Sequence, residues 1–191
     1  MDTVVNALKH WEGCCSHMYL DTRGNVTTGI GHLLRTAADA RVLPWVDIAG
    51  DAAQPGEIQV SWETVHAAAT GRPASGYEAL THIRLRDGMP EQLARTRIER
   101  EFLPGLRVRY PAFDYYPASA RGALLDMAWN LGLHGLDQFK HMHDAIKAGD
   151  WFGASVACHR SSSRQERNEW CAEQFEQAEA SDTMTPGPVV G

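Results

Sequence analysis

The chain of 191 residues lacks any apolar run near the roughly 20 residues that a membrane-spanning helix needs. Its first residues, MDTVVNALKHWEG, also lack the basic start and the long apolar stretch of a secretory signal peptide. We therefore expect no membrane insertion and synthesis in the cytoplasm. Any work outside the cytoplasm then needs a delivery route other than general secretion.

An excess of basic residues is also missing, since the formal net charge is −6. Phosphate contacts supply most of the affinity of a nucleic-acid-binding protein, and they need a basic surface. Arg95, Arg97 and Arg100 do cluster, but acidic residues interleave with them. This pattern is typical of a solvated helix face, so we expect no nucleic-acid partner.

The cysteines show none of the spacings that hold a metal ion. Cys14 and Cys15 are adjacent, and Cys158 and Cys171 lie far along the chain. Reduced thiols are the simplest interpretation, while a disulfide of Cys158 with Cys171, or of the N-terminal pair with either, becomes possible only after export. A pair of histidines two residues apart, His141 and His143, would not share a helix face. We therefore expect no metal and no cofactor.

Hydrophobic periodicity predicts an α+β fold that is mostly helical. A first helix over about residues 3–12 is followed by a hairpin whose turn covers residues 21–25. Proline and glycine break up the region 35–88, except for a short helix near residues 61–70. A helix opening at Pro90 should end or kink at Pro104.

The second half of the chain is the more strongly helical one. The run ARGALLDMAWNL has a wide apolar stripe, which predicts a central helix buried on most sides, ended by Gly132. Further helices are expected before Gly149, after Asp150, and from Asn168 to about Ala180. The serine-rich stretch with Arg160 and Arg164 has the composition of a solvated loop.

The segment KHWEGCCSHMYLDTRGNVTTGIGHL, residues 9–33, combines groups that suit glycoside hydrolysis. Cleavage of a glycosidic bond usually takes one carboxylic acid and a second group that manages the water. Glu12 at a helix end, against apolar neighbours, would suit the acid, and Asp21 in an exposed turn would stay ionised. Thr27 on the return strand could position a water, and the glycines would let a sugar lie against the strand.

This segment resembles the catalytic signature of the T-even phage lysozymes, glycoside hydrolase family 24. That signature has a Glu and, nine residues later, the Asp that begins the pattern D-x-x-G-x-x-T-x-G-x-G-H. The matching residues are Glu12, Asp21, Gly24, Thr27, Gly29, Gly31 and His32. The stretches ARGALLDMAWNLG, HDAIKAGDWFGAS and ERNEWCAEQF are similar to helical segments in the C-terminal half of that family.

The resemblance implies a lysozyme-like fold with a small β-hairpin lobe and a larger helical lobe. We expect one catalytic domain over residues 1–180 and a disordered tail over 181–191. The N-terminal lobe would cover about 13–110, with an insertion at about 35–89. The helical lobe would cover about 112–180 and include the first helix.

By the same resemblance Glu12 is the general acid, and Asp21 with Thr27 holds and activates the water, so the anomeric carbon is inverted. Gly31, Leu33, Trp129 and Asn130 match positions that could line the sugar groove, although Trp129 fits the core equally well.

Three further residues would support the site. Arg167 matches the arginine whose guanidinium faces the catalytic glutamate. His32 is expected to be a structural ion-pair partner, for example of Glu101, and the alternative is a second catalytic base.

The implied substrate is peptidoglycan, cut at the β-1,4 bond between N-acetylmuramic acid and N-acetylglucosamine by a monomeric muramidase. An acidic enzyme gains no attraction to an anionic cell wall, so local delivery is expected. A prophage endolysin released by a holin and a secreted antibacterial effector with a cognate immunity protein both fit. The alternatives are a chitin-cutting relative and an inactive, lysozyme-like module that binds glycan or a partner.

Overall fold

The computed structural model describes residues 1–183, and the predicted tail lies outside the described residues from residue 184 onward. The protein is 61% helical and has a small antiparallel sheet, which confirms the mostly helical α+β class. No helix within residues 1–183 is long and apolar enough to cross a membrane. Two compact units are formed, one by residues 5–96 and one by residues 1–4 with the described residues from 97 onward.

The unit of residues 5–96 contains a three-stranded antiparallel sheet with the strand order β1-β2-β3 and a two-stranded sheet. Its strands are β1 Cys15–Leu20, β2 Val26–Gly29, β3 His32–Leu33, β4 Trp45–Val46 and β5 Arg84–Leu85. Its helices are α1 Asp2–Glu12, whose first residues belong to the other unit, α2 Ala37–Arg41, α3 Pro55–His66 and α4 Met89–Arg97, with a 3₁₀-helix at Ala74–Leu80. The predicted first helix and hairpin are confirmed.

The insertion at residues 35–89 packs on the hairpin and forms one apolar core with it. Trp45, Tyr77 and Leu85 from the insertion are buried in a cluster that includes Met18 and Leu20 of β1. The predicted helix near residues 61–70 begins earlier, at Pro55, because proline is favoured in the first turn, where its missing N–H costs nothing. The insertion therefore packs against the hairpin and shares its apolar core.

The other unit is helical. Its helices are α5 Leu103–Arg109, α6 Ala118–Leu136, α7 Lys140–Ala148, α8 Trp151–Ala157 and α9 Gln165–Thr183, with a π-helical turn at Ile98–Phe102 and a 3₁₀-helix at Phe113–Tyr115. Pro104 lies in the first turn of α5, directly after the π-helical turn, and the chain stays helical on both sides of it. In the first turn of a helix a missing backbone N–H removes no intrahelical hydrogen bond.

The central helix α6 is buried on most sides, as its apolar stripe predicts. Ala120, Leu124, Met127 and Ala128 are fully buried. Gly132, with φ of 70°, interrupts the helical geometry where the sequence predicts an end. Helix α7 ends at Gly149, which has φ of 75°, and Asp150 caps α8 by accepting a hydrogen bond from the amide of Gly153 at 2.6 Å.

Candidate active site

The hairpin of β1 and β2 carries two of the residues predicted to be catalytic. Tyr19 lies opposite Thr27, and Leu20 lies opposite Val26. Asp21 directly follows the last residue of β1 and begins the turn that leads to β2. Both residues therefore lie at the turn end of this hairpin.

Asn25 in the turn is hydrogen-bonded to both Asp21 and Thr27. Its backbone carbonyl accepts a hydrogen bond from the amide of Asp21 at 2.9 Å and another from Oγ1 of Thr27 at 3.1 Å. The amide of Gly24, which has φ of 79°, donates to the carbonyl of Asp21 at 3.0 Å and closes the turn. Only glycine adopts this left-handed conformation readily, which explains the glycine at this position of the motif.

The Asp21 carboxylate is held in its ionised form by the same turn. Its Oδ1 accepts hydrogen bonds from the backbone amides of Arg23 and Asn25, both at 2.8 Å, and the Asn25 side-chain amide donates to Oδ2 at 3.1 Å. Burial opposes ionisation, but the amides of Asn25 and Arg23 outweigh it and hold the pKa of Asp21 below its usual range. Within residues 1–183, that 3.1 Å bond is the one bond that Oδ2 accepts, so Oδ2 retains acceptor capacity.

Thr27 is buried, with 4% of its surface exposed. Its hydroxyl has one proton, which is donated to the Asn25 carbonyl, and toward a bound water it can therefore only accept. The next residue, Thr28, is fully buried and donates instead to the carbonyl of His17 across the sheet at 3.1 Å. Of the two threonines, Thr27 has the geometry for handling a water and Thr28 has a structural role.

Glu12 is the last residue of α1, and its carboxylate is exposed. The apolar surroundings that we expected for the acid are therefore not found at this position. Gly13 follows with φ of 79° and turns the chain toward β1. One turn earlier on α1, Lys9 is ion-paired with Glu91 of α4, so this cation is already neutralised.

Of the two glycines at the end of β2 and directly beyond it, Gly31 leaves room beside the backbone. It has φ of 65°, and a Cβ placed on it would meet nothing within 4 Å. A Cβ on Gly29 would instead lie 3.5 Å from Cα of Pro90. Leu33 is 36% exposed, and His32 pairs with Thr28 in the sheet. Gly31 and Leu33 thus offer open surface next to the hairpin, and their role in a sugar groove stays a prediction.

In the helical unit, Trp129 is buried, with 9% of its surface exposed. Its ring lies 5.7 Å from that of Phe102, and the Arg97 guanidinium stacks 4.6 Å above its centroid. This environment favours the core alternative for Trp129. Arg97 also donates from Nε to Oε2 of Glu101 at 3.0 Å, and the pairing of Glu101 with His32 stays a prediction.

A buried charged network surrounds Asp126 in the middle of α6. Asp126 is fully buried and accepts from Nη1 of Arg160 at 2.8 Å and from Nη2 of Arg167 at 2.8 Å. Asn168 Oδ1 accepts from the backbone amide and from Nε of Arg160, both at 3.1 Å. Arg160 Nη1 also lies 3.4 Å from Oδ1 of the exposed residue Asn130. Two guanidinium groups therefore share one carboxylate.

The interpretation of Arg160 as part of a solvated loop is wrong, because only 2% of its surface is exposed. Asp126 was missed as its partner. The available signal was an aspartate inside the apolar stripe of a helix expected to be buried, since a charge in such a place is usually paired. The same network holds Arg167, which is 5% exposed, in a defined orientation.

No group of three or more histidine, cysteine or acidic residues in the described part of the chain could hold a metal ion. Both ring nitrogens of His143 lie at hydrogen-bond distance from other groups, Nδ1 at 2.6 Å from the Tyr110 hydroxyl and Nε2 at 3.0 Å from the Leu136 carbonyl. His143 therefore has a structural role.

No family model and no curated protein matches this chain.

Proposed function

We propose that this protein is a lysozyme that hydrolyses the β-1,4 bond between N-acetylmuramic acid and N-acetylglucosamine in peptidoglycan, and that its two units correspond to the lobes of the T-even phage lysozymes. The observation that carries the proposal is the turn at Asn25, whose amide donates to the Asp21 carboxylate and whose carbonyl accepts from the Thr27 hydroxyl. In an inverting glycosidase a carboxylate activates the attacking water, and in this proposal the Thr27 hydroxyl helps to hold that water.

The water would donate one hydrogen to Oδ2 of Asp21 and the other to Oγ1 of Thr27. Thr27 cannot donate in return, because its own proton is taken by the Asn25 carbonyl. The lone pairs of the water are then turned away from both acceptors and toward the anomeric carbon. As the bond to that carbon forms, the ionised Asp21 removes the proton, which is the general-base step.

Glu12 would protonate the leaving oxygen on the opposite side of the sugar. Its position at the end of α1, directly before the chain enters β1, keeps it on the same unit as the water-binding pair. Glu12 is an exposed residue, so a substrate bound over it would have to exclude water from its surroundings.

Other residues fit supporting roles in this proposal. Gly31 and Leu33 offer open surface for a sugar ring, and Asn130 presents an exposed amide that Arg160 fixes. The Asp126 carboxylate holds Arg167 in place, and the role that the resemblance implies for Arg167 stays a proposal.

The test is digestion of purified peptidoglycan sacculi, followed by analysis of the released fragments. Soluble muropeptides with reducing N-acetylmuramic acid ends are expected, and NMR of the first product should show the inverted α-anomer. Glu12→Gln and Asp21→Asn should each lose release by at least about 100-fold, the lower end of a general acid-base contribution. Digestion of chitin in parallel separates the two substrate classes.

The matched control is Glu63→Gln, the same change at an exposed glutamate on α3 that has no part in the proposed site. It should leave release unchanged. If wild type and Glu12→Gln both bind sacculi but neither releases fragments, the chain is a binding module and the proposal fails.

We also propose delivery close to the wall, either as an endolysin or as a secreted effector with an immunity protein, since a net charge of −6 gives no attraction to an anionic polymer. Targeting the chain to the periplasm of a bacterial host should lyse the cells, whereas Glu12→Gln in the same compartment should not. Harmless accumulation of the active enzyme there would contradict this proposal.

A further inference from the structure

Two cysteines of the helical unit lie side by side beneath the loop that joins α8 to α9. Cys158 follows the last residue of α8, and Cys171 lies within α9. Asn168 binds both the amide and the carbonyl of Arg160, at 3.1 and 2.9 Å, which closes the base of the loop. Cys171 is one helical turn beyond Asn168 and shares its face of α9, and Cys158 lines the same cavity as Asn168 and Ala172.

The two thiols have different electrostatic surroundings. The hydrogen bond from Cys171 lowers the pKa of the Cys158 thiol despite its burial, and the Arg160 guanidinium adds to the effect. The hydrogen bond to Cys158, together with burial, raises the pKa of Cys171. Cys158 also lines a cavity, whereas Cys171 is fully buried, so Cys158 is the better placed nucleophile of the pair.

A cavity of about 450 Å³ leads to Cys158. It lies between α8 and the start of α9, and its lining includes Ser155, Val156, His159 and Asn168. Only 1% of Cys158 is exposed and Cys171 is fully buried, so a reagent would reach Cys158 first. The volume is within the range of about 300–1,000 Å³ found for small-molecule sites, which is enough for one end of a small disulfide.

We propose that Cys158 and Cys171 are a redox site that closes into an intramolecular disulfide when the protein meets a disulfide oxidant, either a low-molecular-weight disulfide or that of a thiol oxidoreductase. The thiolate of Cys158 attacks one sulfur of the oxidant, forms a mixed disulfide and releases one thiolate. Cys171 then loses its proton, attacks the sulfur of Cys158 and displaces the second thiolate. The oxidant gains the two electrons and two protons that the cysteine pair loses.

This bond would tie the end of α8 to α9, because Cys158 follows α8 and Cys171 lies within α9. It would close a loop over residues 158–171, close to the length of about 15 residues for which disulfides give clear stabilisation. For a protein of this size we expect oxidation to raise Tm by about 6–12 °C. The inference does not depend on the proposed lysozyme activity.

The experiment starts from fully reduced protein, titrated with glutathione disulfide. Intact mass should fall by two hydrogens, peptide mapping should show the link between residues 158 and 171, and Tm should rise. Dithiothreitol should reverse all three changes. If the wild type shows no 158–171 link, or shows the link with no rise in Tm, the proposal is overturned.

Variants test the order of attack. Cys171→Ser should stop at a glutathione adduct on Cys158, and Cys158→Ser should give no adduct on Cys171. The matched control is the double variant Cys14→Ser, Cys15→Ser, which should keep the bond and the shift in Tm. An adduct on Cys171 in the absence of Cys158 would contradict the assigned roles, and the wild-type titration stands even if a variant fails to fold.

Discussion

Replacing Asp126 by asparagine tests the buried network most directly. Asparagine has nearly the same shape, but it carries no charge and presents an amide nitrogen where a carboxylate oxygen accepted hydrogen bonds. In the wild type, Oδ2 accepts from Arg160 at 2.8 Å and Oδ1 accepts from Arg167 at 2.8 Å. The amide oxygen can serve one of these arginines, and the amide nitrogen then faces the other, donor against donor.

The size of the expected loss in free energy of unfolding follows from the burial of the three side chains. The side chains of Asp126 and Arg160 are 0% exposed, and that of Arg167 is 6% exposed, so water cannot replace the lost partner. Removing one partner of a buried ion pair costs about 3–5 kcal/mol. Here two guanidinium groups lose their counter-charge, so we expect the upper part of that range. For a domain of this size, such a loss lowers Tm by roughly 8–20 °C.

The assay is urea unfolding followed by circular dichroism, with wild type, Asp126→Asn and Asp114→Asn compared at the same pH. Asp114 is the matched control, since it also accepts hydrogen bonds from an arginine, Arg107, but both side chains are about half exposed. Exposed ion pairs contribute little. Equal unfolding midpoints for the two variants would refute the reasoning that burial makes the Asp126 network important.

Three smaller predictions follow from local geometry. Asn25→Ala should raise the pKa of Asp21, because a side-chain donor to the carboxylate is lost, and NMR titration of the carboxyl carbon measures this. Burial raises the pKa of Tyr19 far above its usual value, so Tyr19→Phe should leave the tyrosinate absorbance step near pH 10 unchanged. Gly149→Ala should cost about 1–2 kcal/mol because φ is 75°, whereas Gly56→Ala in α3 should stabilise by about 0.5 kcal/mol, both measured by urea unfolding.

The signs of the pH effects can be checked in the same experiments. The depressed pKa of Asp21 stabilises the folded state at pH values above the pKa of the unfolded chain. This stabilisation is lost as the pH falls through the pKa of Asp21 in the folded state. In Asn25→Ala that folded-state pKa is higher, so the loss begins at a higher pH. The raised pKa of Tyr19 acts in the other direction, so the free energy of unfolding falls as pH rises above about 10. An unchanged Asp21 titration, or a smaller absorbance step in Tyr19→Phe, would contradict these assignments.

Some features depend on residues close together in the chain, and these were predicted correctly. The hairpin, the ends of helices at Gly13 and Gly149, and the cap at Asp150 all follow from backbone preferences and short-range hydrogen bonds. The turn of Asp21 and Asn25 is of the same kind, since every bond that shapes it spans four residues or fewer. Local chemistry of this sort can be read from the order of residues alone.

Other features depend on which elements pack together, and here prediction was incomplete or wrong. Arg160 has the composition of a solvated loop around it, yet it is buried, because Asp126 approaches from 34 residues away. Glu12 is exposed although its neighbours in sequence are apolar. The helix that opens near Pro90 was expected to end or kink at Pro104. In the structure α4 ends at Arg97, a π-helical turn follows, and Pro104 lies in the first turn of α5.

By itself, the sequence determined the mostly helical α+β class, the main helices and the hairpin of β1 and β2, because periodicity and short-range hydrogen bonds decide these. Only the tertiary structure decided that Asp126 would join two arginines, that Cys158 would meet Cys171, and that the insertion would support the hairpin. Burial removes water as an alternative partner, so the environment of each of these groups is set by packing between segments distant in the chain.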